Sequence, residues 1–327
     1  MMTSVVKQSV MDAAFQRVLF NHGGAGVDGI TVDAFGRDLD SSIGKLRYEL
    51  LSGSYQPLPL LRLIVDKGKG NGEGRPLSIP AVRDRVAQAA AFAVVGPVFE
   101  AEFETCSFAY RKGRSVRQAV YLIRKYYDEG YRWVVEADID AYFDNVDHGK
   151  LLRKVKKFIP DKRVVSLIEK WIKVDIWDGE TVYPLTKGIP QGSVISPVLS
   201  NLFLDELDER LTAGGFKLVR FADDFIIQCR DRKSAEKALE LTDTILDDLS
   251  LELDESEITN FEHGFKFLGV TFLKSMAVVP FDKPKKVMKI LHYPKPLNMV
   301  KYFQSRVGSE DQSRVRSRES EVKGSQE

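Results

Sequence analysis

The chain has 327 residues, of which 43% are apolar and 29% charged, with a formal net charge of +1. That is ordinary globular usage and enough chain for a core shared between subdomains. It excludes the disordered and collagen-like classes, and no apolar run reaches the roughly 20 residues of a membrane-spanning helix. The N-terminus MMTSVVKQSV has no signal-peptide core, so a cytoplasmic location without membrane contact is expected.

In chain order, Leu39, Ile43, Leu46 and Leu50 recur at helical spacing and predict a helix over 39–51, stopped by Gly53. Leu60–Val65 reads as a strand. The following DKGKGNGEGRP, 66–76, lacks the Gly-Lys-Ser/Thr order of a phosphate-binding loop and reads as a flexible hairpin tip. Residues 81–103 read as an Ala-rich helix, and a second helix, Val116–Tyr127, follows the basic segment FAYRKGRS at 108–115. Trp133–Ile139 is a β-rich run that carries Asp138. The 150–173 block holds nine Lys or Arg against two acids, yet Leu151, Leu152, Val155, Phe158 and Ile159 give it an amphipathic stripe. A nucleic-acid groove and a solvated helix face both remain open for it.

Pro197 suits the first turn of a helix over Val198–Leu211. Leu218–Ile227 then places two apolar runs around Asp223 and Asp224 at a turn. Two adjacent Asp residues at a turn are commonly no more than a polar loop. A third carboxylate at the end of a distant strand, Asp138, changes that reading. Three acids converging on one point would repel each other and raise each other's pKa unless a hard divalent cation neutralised them, and oxygen-ligated Mg²⁺ is the natural choice. Such a centre performs nucleotidyl transfer. The two cysteines, Cys106 and Cys229, lack metal-ligand spacing, and His22, His148, His263 and His292 are scattered, which leaves zinc or a histidine nucleophile unsupported. Charge is uneven: seven Lys or Arg lie within 111–132, whereas 236–262 is strongly acidic, as for a basic groove with an acidic back.

Asp138 within ADIDAYFDNVDH, the run GIPQGSVISPVLSNLFLDEL at 188–207 and FADD at 221–224 resemble the palm motifs of reverse transcriptases, in the family's order. AGVDGIT at 25–31 and GRPLSIPAVRDRVAQ at 74–88 resemble fingers motifs of the bacterial group II intron-like lineage. The resemblance spans about residues 12–275 and implies an α+β fold: right-hand fingers and palm, an antiparallel palm sheet backed by helices, and a thumb reduced or absent. It implies fingers over 1–132, palm over 133–275 with a helical insertion at about 150–175, and a short C-terminal extension or thumb remnant over 276–327 with a disordered tail from about 306.

The same resemblance implies RNA-directed DNA polymerase activity by two-metal chemistry on a primer 3′-hydroxyl. Asp138, Asp223 and Asp224 would be catalytic, and with Ile139 they form the metal set for two Mg²⁺, or Mn²⁺. Arg75, Gln191 and Phe143, with Lys67 or Lys69, would contact the nucleotide, and Leu268 and Gly269 lie at the primer grip. Phe143, five residues after Asp138, would collide with a 2′-hydroxyl and so select deoxynucleotides; an ordinary core phenylalanine is its alternative. The segment 108–115 would help hold the template, or is simply a basic loop before a helix. Implied partners are an RNA template, a DNA or RNA primer and dNTPs.

Two departures stand out: FADD in place of the commoner YADD, and Glu255 or Glu257 where relatives often carry lysine. After Gly269 only 58 residues remain, too few for maturase and endonuclease regions. The compact length, RPLSIPAVRDR at 75–85 and KPLNMVKYF at 295–303 resemble CRISPR-associated reverse transcriptases, which acquire spacers from RNA beside the adaptation integrase, adding its subunits as partners. Alternatives are a group II intron- or retron-type enzyme, an untemplated terminal transferase, or a non-catalytic RNA-binding palm subunit of a defence complex.

Overall fold

A four-stranded antiparallel sheet forms the floor of the molecule's main cavity. The computed structural model describes residues 1–66, 74–279 and 290–306. Helices α1 (Met2–Val5), α2 (Gln8–Phe20), α3 (Val32–Gly36) and α4 (Leu39–Ser52) precede a hairpin of β1 (Leu60–Asp66) and β2 (Gly74–Ile79). Then follow α5 (Val82–Glu100), α6 (Val116–Asp128), β3 (Trp133–Ile139), α7 (Tyr142–Asn145), α8 (His148–Phe158), α9 (Lys162–Ile172), β4 (Asp175–Trp177) and β5 (Val182–Pro184). The remainder is α10 (Ser196–Ala213), β6 (Lys217–Phe221), β7 (Asp224–Cys229), α11 (Arg232–Leu249), β8 (Leu253–Asn260), β9 (Phe265–Phe267), β10 (Val270–Leu273), β11 (Met276–Val278) and β12 (Ile290–His292).

The floor sheet runs β6-β7-β3-β8. Alternation along β3 separates its two faces. Val135, Ala137 and Ile139 pack with α10 and α11 in the larger core. Val134 faces the other way, into a cluster with α6 and the β9–β10 hairpin, so Glu136 and Asp138 share its face and emerge where that cover ends. A one-residue slip in β3 would bury both carboxylates. Helix α5 is buried nearly all round, which its run of alanines permits, and it packs among α2, α1 and α4.

The 150–173 block is two helices, broken around Pro160, because proline cannot donate the main-chain bond that continuity requires. Several of its cations are tied down internally: Lys154 pairs with Glu206 at 2.8 Å, and Lys170 donates to the Tyr55 carbonyl at 2.7 Å. Arg111, counted on sequence with the basic groove, is also internal: it pairs with Glu100 at 2.9 Å and donates to the Ser107 carbonyl at 2.9 Å. Lys112, Arg117, Arg124 and Lys125 do lie on the exposed side. The acidic 236–262 stretch is split likewise. Helix α11 backs the sheet, but β8 pairs with β3 and carries Glu255 and Glu257 beside Glu136 on the cavity side.

Past β11 the chain returns to the N-terminal half. β12 pairs with β1, Leu297 N–H donates to the Val27 carbonyl at 3.0 Å, and the Trp177 indole donates to the Lys295 carbonyl at 2.8 Å.

Candidate active site

Apolar strands β6 and β7 hold the FADD turn. Phe221 pairs with Asp224 across it, leaving Ala222 and Asp223 at the tip, with Ala222 in the left-handed region at φ 64°. Non-glycine residues adopt that conformation at a cost and keep it only where surroundings enforce it. β7 lies beside β3 in a register that ends with Ala137 opposite Phe225, and Asp138 and Asp224 are the next residues on the two strands. Residues separated by more than 80 positions are thus neighbours, and Asp138, Asp223 and Asp224 all line one open cavity of 850 Å³.

The charges in that cavity act on one another. Burial, and then the neighbouring Asp254 and Glu255, raise the Asp138 carboxyl above its ordinary range, against the pull of the Ile139 N–H that donates to it at 2.9 Å. Asp223 is raised by burial and by Asp138, against Arg75 and Arg220. Asp224 is pushed up to about 6 by burial first and then by Asp223 and Asp138. None of the three forms an ion pair among the described residues. Carboxylates held near one another without a directly paired protein cation are a donor set that suits a hard divalent ion. As placed, no group of three His, Cys, Asp or Glu side chains among the described residues forms a preassembled metal cage, so the side chains would have to converge on an ion. Ile139 buries its side chain, and its carbonyl is the one ligand atom it offers.

Around these acids the cavity collects Arg75, Tyr110, Phe143 and Gln191. Arg75 is exposed on β2, opposite Val65. Lys67 and Lys69 lie outside the described residues. Phe143 stands on the short α7, its ring 5.3 Å from that of Tyr142, and Ile189 N–H donates to its carbonyl at 2.7 Å. The 188–192 loop is closely seated. A Cβ on Gly188 (φ 86°) would meet the Phe143 carbonyl oxygen at 2.7 Å, and one on Gly192 (φ 106°) the Ser78 carbonyl oxygen at 2.5 Å. These glycines therefore serve close approach between backbones inside the protein. Gln88 fixes the same loop by accepting from Ser193 Oγ at 2.7 Å and Val194 N–H at 2.9 Å.

Leu268 and Gly269 form the β9–β10 hairpin tip, both at positive φ (52° and 74°), between the paired Phe267 and Val270. A two-residue tip of that kind matches strand twist. It is Lys266 and Phe267, one step before the tip, that line a second cavity of 620 Å³, whose far wall is Asp138, Asp224, Glu255 and Glu257.

Sequence reasoning missed Tyr110, Asp254, Arg220 and Asp208. Tyr110 looked like part of a basic loop; its left-handed φ of 61° turns it onto the cavity wall, 55% exposed. Arg220 did carry a signal, since a charge within the apolar run LVRF must find a buried partner.

The family described as "Reverse transcriptase (RNA-dependent DNA polymerase)" matches residues 65–272, more than half of the chain. This chain belongs to the reverse transcriptase family. "Protein YkfC" of Escherichia coli (strain K12) is 35% identical over 75% of this chain and 74% of its own length. "Group II intron-encoded protein LtrA" of Lactococcus lactis subsp. cremoris is 32% identical over 63% of this chain, which spans only 34% of that relative. Among solved structures, a chain of the "Partial Cas6-RT-Cas1--Cas2 complex" is 29% identical over 75% of this chain and 42% of its own, with a TM-score of 0.47. Candida albicans telomerase, at 13% identity over 70% of this chain and 49% of its own, has a TM-score of 0.52, a likeness of fold. The mixed α+β architecture with antiparallel sheets agrees with reverse transcriptase fingers and palm. No described helix is long and apolar enough to cross a membrane.

Proposed function

We propose that this reverse transcriptase family member synthesises DNA on an RNA template by nucleotidyl transfer onto a primer 3′-hydroxyl, with dNTPs as substrates. The observation that carries the reading is that Asp138, at the end of β3, and Asp223 and Asp224, at the β6–β7 turn beside it, line one cavity with Arg75, Phe143 and Gln191. Asp138, Asp223 and Asp224, with the Ile139 carbonyl, are the oxygen donors for two Mg²⁺ (Mn²⁺ would also suit), which when bound lower the pKa of the 3′-hydroxyl and neutralise the departing pyrophosphate. Arg75 offers a fixed positive charge to the triphosphate, and Gln191, whose main-chain carbonyl accepts from the Ser78 N–H of the same β2 at 2.7 Å, offers an amide. Phe143 excludes a 2′-hydroxyl sterically, and the 265–270 hairpin, with Leu268 and Gly269 at its tip, supports the primer. Template sequence is copied by base pairing, so protein contacts go to backbone and hybrid shape.

The division into fingers (1–132), palm (133–275) and a C-terminal extension belongs to this reading, as does a cytoplasmic location. Lys67 and Lys69 stay within it as nucleotide contacts by sequence alone. The finer role we favour is spacer acquisition from RNA with CRISPR adaptation integrase subunits, supported by the likeness of residues 75–85 and 295–303 to that subgroup. An intron- or retron-type role is the alternative, and a neighbouring integrase gene and repeat array, against a flanking structured RNA, separates the two.

Purified protein with poly(rA)/oligo(dT), dTTP and Mg²⁺ should incorporate dTMP, and Asp223→Ala should not. Equal incorporation by both proteins, or none by either even with integrase supplied, refutes the polymerase reading.

A further inference from the structure

Beneath the FADD turn lies a fully buried ion pair, Arg220 with Asp208, each 0% exposed. Arginine carries five N–H donors, and all five are used. Nε donates to Asp208 Oδ1 at 2.7 Å and Nη2 to Asp208 Oδ2 at 2.5 Å; Nη2 also reaches Ser107 Oγ at 2.9 Å. Nη1 donates to Asn201 Oδ1 at 3.1 Å and to the Ala222 carbonyl at 2.8 Å. That last carbonyl belongs to the strained residue joined directly to Asp223.

The opposite cavity wall hangs from the same group. Arg220 N–H donates to the Cys106 carbonyl at 2.9 Å, and Phe108 N–H to the Arg220 carbonyl at 3.0 Å, which adds the 106–108 segment to the sheet edge. Asn201 Nδ2 donates to the Ala109 carbonyl at 2.9 Å. The next residue is Tyr110, whose phenol is raised by burial and then by Asp223. The two walls thus share one anchor.

Stability does not account for this arrangement, because a buried ion pair is often replaceable by apolar side chains at no loss. We propose that Arg220, held by Asp208 and Asn201, is a positioning residue that fixes the Asp223 turn against the Tyr110 wall, setting the cavity to the width of the primer end and incoming nucleotide. The inference rests on the polymerase reading of the cavity. A lysine at 220 keeps the charge but has too few donors, on a single nitrogen, to hold Asp208, Ser107, Asn201 and Ala222 together.

The test compares wild type, Arg220→Lys and the apolar double variant Arg220→Met/Asp208→Leu as full-length chains. Amide hydrogen exchange is followed over 106–111 and 221–225, and dTTP kinetics are measured on poly(rA)/oligo(dT). In Arg220→Lys both segments should exchange about tenfold faster together while β1 stays unchanged. kcat should fall on the order of 100-fold, with KM within about threefold. The double variant, if it folds, should melt near wild type and show the same kcat loss. Wild-type kcat in Arg220→Lys, or loosening confined to one of the two segments, overturns the proposal. Should wild type incorporate nothing, the polymerase reading falls, and the exchange result alone decides whether the brace exists.

Discussion

Replacing Asp205 with asparagine should stabilise the protein at pH 8 and have the opposite or no effect at pH 5. Asp205 lies on α10, three residues before Asp208, is 6% exposed, and its Oδ1 has no hydrogen-bond partner. Burial first, and then Asp208 and Glu209, push its carboxyl up to about 7 from an ordinary 3.8. A folded-state value above the unfolded one means that the unfolded chain binds fewer protons between about pH 4 and 7, so stability falls as pH rises through that window. A shift of about three units corresponds to at most about 4 kcal/mol, fully expressed by pH 8. Asparagine keeps the shape and removes the charge. Its amide must still find partners, and an unsatisfied one costs about 1–3 kcal/mol, so the net gain is about 1–2 kcal/mol. For a chain of this size that raises Tm by about 2–5 °C. Thermal melts of both proteins at pH 5, 6, 7 and 8 give the answer. If the difference between them is the same at every pH, or if asparagine is less stable at pH 8, the account of Asp205 as a charge buried among like charges is wrong.

Asp138→Asn and Asp223→Asn should each lower primer extension on the order of 10³-fold while leaving Tm unchanged or raised, since each relieves repulsion; extension near wild type would remove these carboxylates from the chemistry. Phe143→Ala should reduce discrimination against ribonucleotides roughly 10–100-fold, measured as the ratio of kcat/KM for dTTP and UTP, and an unchanged ratio would return Phe143 to the core. Gly188→Ala forces a side chain into φ 86° and against the Phe143 carbonyl. It should cost at least about 2 kcal/mol in urea unfolding and weaken sugar discrimination along with Phe143→Ala; loss of stability without any change in discrimination would separate the loop from the gate.

Sequence alone determined a good deal, because the signals were local. The β-rich run Trp133–Ile139 and the apolar runs within Leu218–Ile227 marked the strands, helical spacing marked α4, and adjacent acids at a turn between apolar runs marked the FADD tip, each a signal carried by neighbouring residues. The tertiary structure alone decided what depends on pairing between distant segments. Only the β3–β7 register sets Asp138 beside Asp224, and only the β3–β8 register carries Glu255 and Glu257 from the expected acidic back to the cavity side. Arg111 appeared to be a groove cation, and folding spends its charge on Glu100 and buried carbonyls. Arg220 was visible as an odd charge in a strand, yet its five acceptor atoms come from three separate stretches of chain. A charge pattern read along the chain gives composition, whereas the field at a site follows from distance, and distance between remote residues exists only once the sheet has closed.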